Sequence, residues 1–202
     1  MNGITNAQGQ TAHDTEQFNT GINSLERKFR KLMSNPPVGS LTLFAGMEWL
    51  VVHWDIEHGV MYLALKDIHS ITEFGNAVDD TDYANSKLKA ALHDFEEHVL
   101  LARSFTSEMV RGADNCFAFV PTAAQIENGF SLFQAGEGGS RASAVASFQG
   151  ERAIWWTSTP AVREDLGGDS FPYFVAEDGS LRNTLRTTWP GGLRPFIRVR
   201  MR

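Results

Sequence analysis

Apolar positions change their spacing along this chain, and each change marks a new element. Phe18, Ile22, Leu25, Phe29 and Leu32 recur at alternating steps of four and three, the seam of a two-heptad amphipathic helix. Arg27, Lys28, Arg30 and Lys31 fall on its outward faces. Residues 1–17, rich in Asn, Gln, Thr and Gly, read as extended or disordered on their own. Two heptads are too few for a solitary helix in water. The seam is therefore expected either to lie on the chain's own domain or to associate with copies of itself, and the second reading predicts a homotrimer. Phe at seam positions and the rigid break at Asn35-Pro36-Pro37 favour a stalk separated from a head.

From Val38 the period drops to two. Residues 41–44, 48–54 and 60–65 read as a three-stranded antiparallel meander, turning at Ala45-Gly46 and at Glu57-His58-Gly59. Residues 68–84 show little periodicity and are expected to be loop. Leu88, Ala91, Leu92, Phe95, Val99 and Leu100 make one apolar stripe, which predicts a helix over 86–101 capped by Asn85 or Ser86. Residues 117–120 read as a short buried strand. Thr122 then caps a short helix over 123–128, ended by Gly129. Residues 134–150, rich in Gly, Ser and Ala, are expected to form a long surface loop. Strands over 153–158, 171–176 and 193–201 complete the chain, and no internal repeat is visible.

Composition narrows the class. With 202 residues the chain is long enough for one sizeable domain and an extension, and 42% hydrophobic with 21% charged is ordinary for a globular protein. The net charge of −6 is uneven, about +1 over residues 1–40 and about −7 over the rest. An acidic body argues against a nucleic-acid surface, which needs a concentrated basic face. One cysteine, Cys116, allows neither an intrachain disulfide nor a two-cysteine metal site, and beside Phe117-Ala118-Phe119-Val120 it reads as a buried small residue. The first residues have no basic or apolar region of a secretory signal, and no apolar run approaches the ~20 residues that span a bilayer. The expectation is a soluble chain made in the cytosol, with no membrane partner.

Catalytic and metal motifs are weak. His93 and His98 flank Asp94, Glu96 and Glu97, but five residues apart they stand about 140° around a helix from one another. A zinc helix needs histidines four apart on one face, so a solvated helix face is expected. Asp79, Asp80 and Asp82 with Asn76 offer oxygens to calcium yet lack the spaced pattern and glycine of a calcium loop. Gly136 to Ser140 has no following Gly-Lys-Ser/Thr, and Ser158 has no nucleophile-elbow setting. No cofactor is implied.

The order of elements carries a resemblance. Met47-Glu48-Trp49-Leu50-Val51-Val52, Asn85-Ser86-Lys87-Leu88-Lys89-Ala90-Ala91-Leu92, Phe117-Ala118-Phe119-Val120-Pro121, Trp155-Trp156-Thr157-Ser158-Thr159-Pro160 and Gly192-Leu193-Arg194-Pro195 follow one another over roughly residues 39–202. In this order they resemble the C-type-lectin-like domains of bacterial surface proteins and phage fibre or tip proteins, an uncharacterised family distantly related to the formylglycine-generating-enzyme scaffold. That family commonly ends its Trp-Trp strand in Arg-Ser-Pro, where this chain has Thr157-Ser158-Thr159-Pro160. The resemblance implies a scaffold that presents long loops for binding and no catalytic residues.

The expected fold class is α+β, and the resemblance implies a C-type-lectin-like domain over 38–202 preceded by a short N-terminal helical anchor over 1–37. Period-two alternation puts Trp155 and Trp156 on opposite faces of their strand, so at most one is expected in the core. Trp189, beside Pro190-Gly191-Gly192, is the best exposed aromatic for a ligand, with Tyr173, Arg163, Asp165 and Arg182 as contacts from the same loops. Arg198, Arg200 and Arg202 alternate with Ile197, Val199 and Met201, a row of like charges that either stays in water or meets an acidic neighbour. A displayed head without disulfides fits a phage virion protein, made in a reducing host cytoplasm and released by lysis. It would decorate the capsid or form a head fibre, tail fibre or tip. Its partners would be other virion proteins through the N-terminal segment and a host-surface glycan or protein. Two alternatives are a bacterial ligand-binding module and a degenerate enzyme of the formylglycine-generating scaffold.

Overall fold

The computed structural model describes residues 35–77, 80–103, 106–134, 141–163 and 169–202, with backbone alone at 103, 161–163 and 169–170. The heptad seam from Phe18 to Leu32, together with Asp79 and Asp165, lies outside the described residues. The chain divides into two compact units, Pro37–Met201 and Met1–Pro36 with Arg202. In the smaller unit only Asn35, Pro36 and Arg202 are described, and Asn35 exchanges two hydrogen bonds with the Arg202 backbone at 3.1 and 3.2 Å.

The larger unit is α+β and rich in sheet. The expected meander forms as β1 (Leu41–Phe44), β2 (Met47–Asp55) and β3 (Val60–Leu65). Against β3 lies the last strand, β12 (Phe196–Arg200), and outside it the short β5 (Ala118–Phe119). All neighbours in this first sheet, β1-β2-β3-β12-β5, are antiparallel. A second sheet runs β10 (Leu181–Arg182), β9 (Asp169–Val175), β8 (Trp155–Arg163), β11 (Pro190–Leu193) and β4 (Ser70–Glu73). It is mixed, because β11 runs parallel to β8 at Gly192 and Trp155.

Three expectations are corrected here. Residues 68–84 are not all loop, since Ser70–Glu73 pairs antiparallel with Pro190–Leu193. Residues 134–150 hold more than a surface loop, because Ala146–Phe148 (β6) pairs with Glu151–Ala153 (β7) and Ala144 is buried. The strand expected over 193–201 is two strands in different sheets, separated by Arg194-Pro195.

Gly191 and Gly192 let β11 take its place. A Cβ on Gly191 would stand 2.6 Å from the Trp156 indole, and one on Gly192 would stand 2.7 Å from Ile68. Backbone without side chains is what allows this strand to close against both.

The helix α1 (Lys87–Phe95) starts where Ser86 caps it, its Oγ accepting from Lys89 N at 3.0 Å. Leu88, Leu92 and Phe95 are buried. The helix then loosens into a π turn over Glu96–Leu100 and a 3-10 turn over Leu101–Arg103. A reciprocal cap starts the second short helical segment. Gln125 N donates to Thr122 Oγ1 at 3.1 Å, while Thr122 N donates to Gln125 Oε1 at 2.8 Å. That segment ends as a π turn over Gln125–Gly129.

Adjacent residues on the central strands point into different hydrophobic clusters. Val51, Leu63, Trp156 and Ile197 join one cluster with Leu88, Leu92 and Phe95 of α1. Val52, Ala64, Trp155 and Phe196 join another with Ile126, Phe130 and Phe133. Both tryptophans of β8 are fully buried. The expected alternation is present, but the expectation that only one of them is core-facing is overturned, because both faces of the strand are covered. At ~25 cal/mol per Å² and roughly 150–250 Å² per aromatic side chain, each contributes about 4–6 kcal/mol of burial.

Arg194 sits at the corner where the chain leaves the second sheet for the first, and it is 1% exposed. Its guanidinium donates to Leu65 O at 2.8 Å, Ala144 O at 3.1 Å and Lys66 O at 3.3 Å, and lies 5.3 Å from the Trp155 ring centroid. Leu65 N in turn donates to Pro195 O at 2.9 Å. Burial pushes the Arg194 pKa down to about 10, so it stays charged at neutral pH. A fixed planar fork meets three carbonyls here in a way a lysine cannot.

Candidate functional site

The turn that carries Trp189 is held from inside. Thr187 is fully buried, and its carbonyl accepts from Phe74 N at 2.8 Å and Gly75 N at 3.1 Å, while its hydroxyl donates to Ala77 O. Trp189 N donates to Arg186 O at 3.0 Å, closing the turn, and Pro190 pairs with Glu73 as β11 begins. Trp189 itself is 54% exposed, by far the largest exposed aromatic side chain among the described residues. A buried anchor two residues away and a paired strand on the other side fix the backbone that presents this large apolar ring to water.

Arg182 lies on the edge strand β10, exposed, and pairs with Asp178 at 2.6 Å. Asp178 belongs to the turn between β9 and β10, where its Oδ1 also accepts from Ser180 N at 2.9 Å and Ser180 Oγ at 2.6 Å. These hydrogen bonds, with the Arg182 charge, hold the Asp178 carboxyl below the usual carboxylate range. A groove of about 370 Å³ opens here, lined by Ile154, Phe174, Ala176, Asp178, Arg182 and Leu185 among others.

The other expected contacts stand apart. Tyr173 is half-buried on β9, directly before the Phe174-Val175 pair that meets β10, and by alternation it faces away from Arg182, whose register partner is Phe174. Arg163 pairs with Asp169 at the far end of the β8–β9 hairpin, roughly 25 Å along the strand from Trp155 at ~3.3 Å per residue. Asp165 lies outside the described residues. Trp189 and Arg182 are therefore the two that belong to one connected segment, residues 182–189. Thr187 and Asp178 were missed by the sequence reading. Asp178 had a signal in its position four residues before Arg182, whereas Thr187 had none.

No family model, curated protein or solved structure matches this chain. The remaining candidate chemistry is used structurally. Asp80 accepts from the Asn76 backbone and side-chain nitrogens, both at 3.2 Å, and from Asp82 N at 3.2 Å. Asp82 in turn accepts from Ala84 N at 3.0 Å and Asn85 Nδ2 at 2.7 Å. Among the described residues no three His, Cys, Asp or Glu side chains gather as a metal ion would need, and no helix is long and apolar enough to cross a membrane. His93 and His98 are exposed and meet Glu97 and Asp94 at 3.4 and 3.3 Å. Cys116 is half-buried rather than buried, and burial is the largest cause raising its thiol pKa. The arginine row is broken as well: the Arg198 guanidinium lies 4.0 Å from the Phe119 ring centroid, while Arg200 is exposed.

Proposed function

We propose that this chain is a non-enzymatic structural protein of a phage particle. Residues 38–202 are its displayed head, a C-type-lectin-like domain. Residues 1–37 are a short helical anchor that trimerises through Phe18, Ile22, Leu25, Phe29 and Leu32 and attaches the chain to other virion proteins. The head decorates the capsid, as a decoration protein or head fibre, or ends a tail fibre or tip. There it contacts a glycan or protein of the host surface.

The observation that carries this reading is the presentation of Trp189. Buried Thr187 and the β4–β11 pairing already hold the backbone of the Trp189 turn, so binding need order only the indole side chain, and such pre-organisation is how binding surfaces limit their entropic cost. A flat indole face also suits stacking on a sugar ring. The groove beside Arg182 and Asp178 offers polar contacts at the start of the same segment.

Light scattering on the full chain tests the anchor. A trimer is expected, and Ile22→Asp with Phe29→Asp is expected to give a monomer; a monomeric parent chain removes the trimeric reading. Binding of the full chain to intact bacterial cells and to immobilised bacterial surface polysaccharides tests the face. Trp189→Ala is expected to weaken that binding at least tenfold with an unchanged thermal midpoint, and equal binding by parent and variant takes Trp189 out of the contact.

A further inference from the structure

Beside α1 a cavity of about 270 Å³ lies between residues 84–96 on one side and Cys116 and Ala118 on the other. Its wall is largely apolar, with Ala84, Ala90, Leu92 and Ala118, and its polar members are Asn85, Ser86, Lys89, His93, Glu96 and Cys116. At the ~30 Å³ that a water occupies in the liquid, the space suits about nine non-hydrogen atoms.

Almost every polar group on this wall is already engaged. Ser86 Oγ donates to Tyr83 O at 2.8 Å and accepts from Lys89 N at 3.0 Å. Lys89 Nζ is bonded to Asp114 Oδ2 at 2.7 Å and stands 3.9 Å from Cys116 Sγ. Cys116 Sγ donates to Asp114 O at 3.6 Å. His93 turns to Glu97 at 3.4 Å. Asn85 Nδ2 is bonded to Asp82 Oδ2 at 2.7 Å.

Glu96 is the acidic group of this wall. It is only 6% exposed, and its Oε2 accepts from Phe117 N at 3.0 Å and Ala118 N at 2.9 Å. Its Oε1 has no hydrogen-bond partner among the described residues. Lys89 is neutralised by Asp114, so the wall carries one uncompensated anionic group. The side chain is held in place by the two backbone N–H groups, so its remaining oxygen faces the cavity already oriented, and a charge-assisted donor is the strongest partner it can take. The free acceptor, the apolar wall and the small volume together specify a ligand.

We propose that this cavity binds a small organic ammonium ion, its N–H donating to Glu96 Oε1 and its short apolar body lying against Ala90, Leu92 and Ala118. Trp189 is not among its lining residues, and the site does not depend on the display reading. Lys89 acts here as a positioning residue that holds the Asp114–Ala118 segment, and Glu96 as the recognition group.

The test titrates the full chain with hexylammonium, hexan-1-ol and hexanoate at low salt, followed by backbone amide shifts and calorimetry. Hexylammonium is expected to bind at least tenfold more tightly than hexan-1-ol, hexanoate not at all, and the shifts to centre on Ala90, Cys116 and Ala118. Glu96→Gln keeps an oxygen for the Phe117 and Ala118 N–H groups while losing the charge, and is expected to lower hexylammonium affinity at least tenfold. Ala90→Phe leaves Glu96 intact and fills the space, and is expected to abolish binding, so a Glu96→Gln chain that does not fold still leaves a deciding variant. Equal binding of amine and alcohol, full binding by Ala90→Phe, or shifts elsewhere or nowhere would each overturn the proposal.

Discussion

Gly191 lies directly against the indole of Trp156, which is fully buried and donates from Nε1 to Thr72 O at 3.0 Å. Phe74 and Phe174 close on the same indole edge-on, with ring centroids 5.9 and 6.0 Å away. The indole thus ties β4, β8, β9 and β11 together, and its room comes from the missing Cβ.

Gly191→Ala is accordingly expected to destabilise the chain by about 1–3 kcal/mol, the usual cost of overpacking a filled core. The new methyl would need to displace a side chain with no free side. Denaturant titration checks this: the midpoint should fall at an unchanged slope. An unchanged midpoint would mean that β11 shifts freely and that the β4–β11 edge is loosely held.

Arg194 gives a second test. Arg194→Lys keeps a buried charge but offers a point donor where three carbonyls from Leu65, Lys66 and Ala144 converge. A loss of about 2–4 kcal/mol is expected. Arg194→Met keeps the apolar stem against Trp155 and removes the charge that must be buried, so it is expected to cost less than lysine. The reverse order in thermal or chemical denaturation would show that the cation itself, rather than its fork of hydrogen bonds, holds the corner between the sheets.

The histidines supply a pH signature. His69 packs edge-on to Phe95 at 4.7 Å, and burial, its largest influence, lowers its pKa below 6.5; His53 is lowered for the same reason. His58 is raised above 6.5, first by its hydrogen bond to Asp55 and then by that carboxylate's charge. For a histidine lowered on folding, the unfolded chain binds more protons once pH falls through 6.5, so stability declines from there down to the folded pKa. For a raised one the contribution is present below 6.5 and is lost as pH rises through the folded pKa. Side-chain proton NMR should place the His69 midpoint below 6.5 and that of His58 above it. His69→Phe should flatten the acid-side loss of stability, and a His69 midpoint above 6.5 would contradict partial desolvation of the ring against Phe95.

Periodicity alone determined the local elements with strong patterns. The meander from β1 to β3, the Ser86-capped helix, the Thr122 cap and the alternation of Trp155 and Trp156 follow from side-chain spacing and cap chemistry that act within a few residues. Trp189 was legible for the same reason, as a lone indole beside Pro190-Gly191-Gly192.

What covers each face was decided only in three dimensions. Trp155 and Trp156 are both buried because α1 closes one side of β8 and the segment around Phe130 and Phe133 closes the other. Ser-Ile-Thr-Glu is too short to show a period and Pro-Gly-Gly-Leu has little strand propensity, and they become β4 and β11 because each supplies the other's backbone partners beside Trp156. Glu96 sits one turn beyond Leu92 and two beyond Leu88, on the apolar stripe, yet its charge made it read as solvated. Only the fold brings the Phe117 and Ala118 N–H groups to its carboxylate. Spacing along a chain fixes which residues share a face; whether that face meets water, another sheet or a buried donor depends on segments far away in sequence.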